Sequence, residues 1–104
     1  DASAITPIKG LAVGLIAPHD TGDADYEVRM FSMWGDLKED PITGSLNAAL
    51  AHWMQAQGRV KTPHIVAQGT CIGRHGRVHV IPSHDGSIRI GGHTTILIEG
   101  RVTL

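Results

Sequence analysis

The residues 39–50, EDPITGSLNAAL, set two acids and a proline directly against Thr-Gly-Ser, immediately before the chain's one good helical run. Pro41 pushes Asp40 out of the helical region, so Asp40 is not an ordinary first-turn acid. A helix start leaves its first N–H groups without partners, and the helix dipole there favours a negative ligand. Gly44 has no side chain to keep such a ligand from the backbone, and Ser45 adds a hydroxyl. A substrate carboxylate can be held by Gly44 and Ser45 while Asp40, a few residues upstream, donates or takes a proton. The same residues also make an adequate turn into a capped helix, a purely structural role that is commoner than an active site.

The elements that must position these residues follow from hydrophobic patterning. GLAVGLIAP (10–18) reads as a largely buried strand closed by Pro18, and HDTGDAD (19–25) as a polar turn. YEVRMFSM (26–33) alternates Tyr26, Val28 and Met30 against Glu27 and Arg29, a second strand paired with the first; WGDLKEDPI (34–42) reads as an irregular connection. Leu46, Ala49, Leu50, Trp53 and Met54 recur at helical spacing, and the alanines between them predict a helix covered on most sides. Thr43 or Ser45 is expected to cap its start and Gly58 to end it. HIVAQG, VHVIPS, SIRIGG and HTTILIEGRVTL read as about four further strands, with a glycine-punctuated turn at CIGRHGR and a hairpin turn at His84-Asp85-Gly86. The expected fold class is α+β: a curled, mainly antiparallel sheet wrapped around one central helix.

Composition bounds the function. The 104 residues suffice for one domain with a modest core, and 41% of them are apolar. A formal charge of −1, with Lys and Arg scattered, gives no steering toward nucleic acid or an anionic membrane. No apolar run approaches the roughly 20 residues of a membrane span. One cysteine, Cys71, excludes an internal disulfide and suits the cytoplasm. The start at Asp1 and a final ILIEGRVTL that still reads as strand suggest a piece of something larger.

VRMFSMWGDLKEDPITGSLNAALAHWM resembles the second-half signature of the PhzF-like isomerases of phenazine biosynthesis, with Arg29, Met30, Phe31 and Glu39 through Ser45 matching in order. AQGTCIGRHGRVHV resembles the same family's Gln-Gly-x-x-x-Gly-Arg-x-Gly block through Gln68, Gly69, Gly73, Arg74 and Gly76, and SIRIGGHTTILIEGRVTL resembles its closing hairpin. The resemblance implies a diaminopimelate epimerase-like fold, in which each of two lobes curls a sheet around a helix and the active site lies in the cleft between them. It implies proton removal and return without metal or organic cofactor. Asp40 would assist near the substrate, and Gly44 and Ser45 would bind its carboxylate. Related epimerases carry a cysteine where this chain has Asp40-Pro41, which groups it with the isomerases. The family's principal glutamate and its glycine-histidine segment belong to a first lobe that these residues do not supply. The chain is therefore expected to be the second lobe alone, a single domain over 1–104, catalytically incomplete without its missing N-terminal lobe.

Other candidates carry less. His75 and His79 lack the close partners of a zinc pair, and His93 follows a hairpin, not a helix entry. Cys71 reads as a small packing residue. Arg74 is expected either to face the substrate or missing lobe or to form an ion pair; Trp34 either lines the cleft or faces that lobe. A non-catalytic module that binds a carboxylate at Ser45 is the competing function, distinguished by ligand binding without solvent deuterium entering the ligand. An exposed cleft face predicts homo-oligomers of the isolated lobe.

Overall fold

The computed structural model describes residues 11–19, 22–32 and 34–104. Residues 1–10, Asp20, Thr21 and Met33 lie outside them, and with them one end each of the expected first and second strands. The elements are β1 (Ala12–Pro18), β2 (Tyr26–Ser32), β3 (Lys38–Asp40), α1 (Gly44–Ala56), β4 (His64–Gln68), a 3-10 turn (Thr70–Ile72), β5 (Gly76–Pro82) and β6 (Ile88–Gly91). They form one mixed, mostly antiparallel, unclosed sheet with a single helix, as the α+β reading expects.

The sheet runs β1-β2-β4-β5-β6, and only the β2–β4 pairing is parallel. A parallel neighbour needs a long crossover, and the chain between β2 and β4 contains β3 and α1. β3 was not expected: residues 34–42, read as irregular, contain it, because three residues are too few to show alternation. The order is thus three strands, a helix and three strands, not two, a helix and four.

Strand alternation sends Val28, Val66, Val78 and Val80 to one face, where they form the core with Ala51 of α1. Ile16, Tyr26, Leu46, Leu50, Ile88 and Ile90 pack around them. Leu46 seats α1 on β1: a side chain at Gly14 would meet Leu46 Cδ1 at 2.5 Å. Met54 is 1% exposed and anchors the end of the helix, which closes in a Schellman turn: Arg59 N–H donates to Met54 O (3.0 Å) and Gly58 N–H to Gln55 O (2.9 Å). Gly58 takes the left-handed conformation this requires (φ 69°), as its position past the periodic run predicts.

Three expectations change here. The helix is covered on one side only: Trp53 is 51% exposed and Ala49 is exposed too, because the sheet does not close over them. Cys71 is exposed in the 3-10 turn, not packed. HTTILIEGRVTL forms no strand among the described residues, and every residue of 92–104 is exposed, with Ile96, Leu97 and Ile98 each above 80%. The segment has the apolar content of a strand but no neighbour here to supply ladder hydrogen bonds.

Candidate functional site

The register explains how distant residues meet. β2 offers one long edge, and two strands share it: β4 pairs with Tyr26–Val28 and β3 with Met30–Ser32. β4 runs parallel to β2 and ends at Gln68 opposite Val28; β3 runs antiparallel and ends at Asp40 opposite Met30. The two strands therefore run head-on toward each other, and their last residues, Asp40 and Gln68, stand two places apart along β2. Asp40 and Gln68 share the helix-facing side with Val28, because side chains alternate with period two.

Gln68 is 0% exposed and fully bonded. Its Oε1 accepts from the Thr43 amide (3.1 Å) and from Asn47 Nδ2 (2.9 Å). Its Nε2 donates to the Asp40 carbonyl (3.1 Å) and to the Thr43 hydroxyl (2.9 Å). The Thr43 hydroxyl in turn donates to Asp40 Oδ2. Asn47, 2% exposed, also donates to the Thr43 carbonyl at 2.9 Å. A buried amide left unbonded would cost about 1–3 kcal/mol, so this network ties the end of β3, the start of α1 and the end of β4 into one unit.

The helix start differs from expectation in its capping. Thr43 occupies the cap position with extended backbone (φ −131°, ψ 100°), yet its side chain makes no capping bond because it is turned to Asp40 and Gln68. Ser45 lies inside the helix and does not cap it. The first intrahelical bond is Asn47 N–H to the Thr43 carbonyl (3.1 Å). The amides of Gly44, Ser45 and Leu46 have no hydrogen-bond partner among the described residues. Gly44 and Ser45 are exposed, and the first turn carries no acidic side chain. The positive end of α1 thus stays open to an anion.

Asp40 is partly buried and lines a cavity of about 490 Å³ with Met30, Ser32, Lys38, Glu39 and Pro41. That size lies in the range of small-molecule sites. Next to Asp40, Glu39 holds Arg29 in a two-point pair (2.8 and 3.0 Å), and Arg29 lies 4.8 Å over the Phe31 ring. The hydrogen-bonded Glu39 carboxylate holds the Arg29 pKa above its ordinary value. A smaller cavity of about 250 Å³ lies on the other side of Pro41, lined by Ile42, Arg74, His75 and Gly76. Arg74 is exposed and forms no ion pair among the described residues. A further cavity, about 310 Å³ and lined by Arg59, Lys61 and His64, sits at the opposite ends of β2 and β4 and has no connection to Asp40.

Two glycines let the acidic loop reach this position. A side chain on Gly69, which sits at φ 85°, would stand 2.7 Å from the Pro41 carbonyl; one on Gly76 would stand 2.6 Å from the Gln68 carbonyl and 3.0 Å from that of Pro41. The Gln-Gly…Gly-Arg-x-Gly spacing and the Asp-Pro loop are thus halves of one contact. The model of the phenazine biosynthesis-like proteins matches residues 4–100.

The chain belongs to the phenazine biosynthesis-like protein family. Its relatives include phenazine biosynthesis-like domain-containing protein 1 of Mus musculus, 31% identical over 99 residues that cover 95% of this chain and 32% of that protein. The phenazine biosynthesis-like domain-containing protein of Homo sapiens is 34% identical over 80 residues, 76% of this chain and 26% of that protein. That of Rattus norvegicus is 28% identical over 100 residues, 95% of this chain and 32% of that protein. The chain therefore spans about a quarter to a third of the length of the curated relatives it matches. No solved structure matches it significantly.

The motif residues of the family resemblance fall together around one loop: Glu39 to Ser45 supply the loop and helix start, and Gln68, Gly69 and Gly76 its floor. Sequence reading placed Gln68 in a family block without a role and left Asn47 unnoticed. The available signal was chemical: a Gln ending an apolar strand and an Asn on the apolar face of a helix are polar residues at core positions, and buried polar groups need partners.

Proposed function

We propose that this chain is the second, carboxyl-terminal lobe of a cofactor-independent isomerase or epimerase that moves a proton on a small carboxylate-bearing metabolite. Asp40 assists the proton transfer, and Gly44 and Ser45 hold the substrate carboxylate on the open amides of the helix start. The observation that carries this reading is the hydrogen bond from the Thr43 hydroxyl to Asp40 Oδ2, which ties that carboxyl group to the cap residue of the helix whose first amides have no partner among the described residues. Family membership supports it. Proton removal and return needs two groups within hydrogen-bond reach of the substrate. The lobe absent from these 104 residues is the proposed source of the second, so the chain alone is expected to be inactive.

The test uses the longer protein that carries this chain, incubated in D2O with small carboxylates and read by mass spectrometry. Deuterium should enter one of them at carbon, and Asp40→Ala should slow that exchange by about a hundredfold or more. Unchanged exchange in Asp40→Ala would reject the role of Asp40. Amide shifts at Gly44–Leu46 on ligand addition, with no deuterium uptake, would instead establish a non-catalytic carboxylate-binding module.

A further inference from the structure

We propose that Gln68 and Thr43 form a one-way hydrogen-bond relay that commits Asp40 Oδ2 to accepting, so that any proton Asp40 exchanges with a ligand travels through Oδ1. Thr43 touches the reacting carboxyl group. Gln68 acts through Thr43 and is a positioning residue.

The direction follows from the partners. An amide side chain can be turned either way round, and its orientation is decided by what surrounds it. The Thr43 N–H can only donate, so the Gln68 atom facing it is Oε1. The Asp40 carbonyl can only accept, so the atom facing it is Nε2. The two constraints are independent and agree. Asn47 reinforces them: Nδ2, identified by its bond to the Thr43 carbonyl, also donates to Oε1.

With its orientation set, Gln68 spends one Nε2 proton on the Asp40 carbonyl and the other on the Thr43 hydroxyl oxygen. Thr43 must therefore accept from Gln68, and its single hydroxyl proton points to Asp40 Oδ2. A proton placed on Oδ2 would oppose that O–H and break the chain back to a residue that is 0% exposed. Protonation on Oδ1 leaves every bond in place. The relay also explains why Thr43 does not cap the helix with its side chain: the hydroxyl is already committed, and the helix amides stay open.

The bond direction stands without the proposed activity; only its use in proton transfer rests on that reading. NMR on the 104-residue chain tests the direction. Both Gln68 side-chain amide protons should exchange at least about tenfold more slowly than those of exposed Gln57, and the Thr43 hydroxyl proton should couple to the Asp40 carboxyl carbon. Gln68→Glu removes both Nε2 donors and should abolish that coupling. Thr43→Val should abolish it too and speed exchange of one Gln68 proton several-fold; Thr43→Ser should preserve both signals. Persistence of the coupling in Gln68→Glu, or free exchange of the wild-type Gln68 protons, would overturn the relay; if Gln68→Glu does not fold, the wild-type and Thr43 variants decide. In the longer protein, Thr43→Val should lower kcat about tenfold or more with KM within about twofold, and Thr43→Ser should restore kcat to within about threefold. A raised KM at unchanged kcat would show a purely structural role and refute the relay's part in proton transfer. Absence of turnover in the wild-type protein would refute the proposed function, with the NMR result still deciding the relay.

Discussion

Arg29 and Glu39 show how far one contact at the residue scale can be weighed. The Glu39 side chain is 8% exposed and that of Arg29 32%, and the guanidinium meets both carboxylate oxygens. Breaking such a pair from one side leaves a carboxylate shielded from water with no partner. Arg29→Met should therefore destabilise the chain by about 2–3 kcal/mol in urea unfolding, less than a fully buried pair because Arg29 is partly wet. The Asp23–Arg77 pair is different in kind. Its bond to Arg77 lowers the pKa of the exposed Asp23 carboxyl. A depressed carboxyl pKa adds stability above its unfolded value, near pH 4, and loses it as pH falls through the folded value. The melting temperatures of wild type and Asp23→Asn should thus differ at pH 7 and converge as pH falls through the lowered folded-state value of Asp23.

At the scale of elements, the site is made by where strands stop. β3 and β4 end against each other on one edge of β2, and the loop from Asp40 to Thr43 lies on Gly69 and Gly76. Gly69→Ala adds a methyl group 2.7 Å from the Pro41 carbonyl at a φ of 85°, so both space and backbone conformation oppose it. It should cost about 2 kcal/mol or more in unfolding and move the Asp40 and Thr43 amide resonances, whereas Gly73→Ala, with the same handedness but nothing within 4 Å, should show only the backbone cost of about 1–2 kcal/mol. The strands with clear alternation and the helix with its closing glycine were legible from residue order, since those signals are local. β3 was not, being three residues long, and neither was the true business of the Thr43 hydroxyl, which depends on Gln68, 25 positions away.

At the scale of the whole molecule, apolar surface is left exposed among the described residues on the outer side of α1 at Trp53 and along 92–104 at Ile96, Leu97, Ile98, Val102 and Leu104. The radius of gyration, 15.7 Å, exceeds the roughly 13 Å of a compact domain of this length, as an unclosed sheet and an unpacked terminal segment require. Contiguous exposed apolar surface drives association. The 104-residue chain is expected to self-associate, and a double Ile96→Lys, Ile98→Lys variant to do so less; sedimentation velocity across a concentration series checks both. A wild-type chain that stays monomeric throughout would contradict the expectation.

What residue order alone determined here is what nearest neighbours decide: the helix and its left-handed stop, the hairpin at Asp85-Gly86, most strands, and a glycine-bearing helix start preceded by Asp-Pro. Those depend on backbone preference and on alternation, which act over a few residues. Only the tertiary structure decided that Asp40 and Gln68 meet, that Thr43 gives its proton to a carboxylate instead of capping the helix, and that 92–104 finds no strand partner among the described residues. The first of those outcomes joins residues 28 positions apart, and the second, although Thr43 and Asp40 are only three apart, depends on Gln68, 25 positions on; register sets such partners and no local pattern records them.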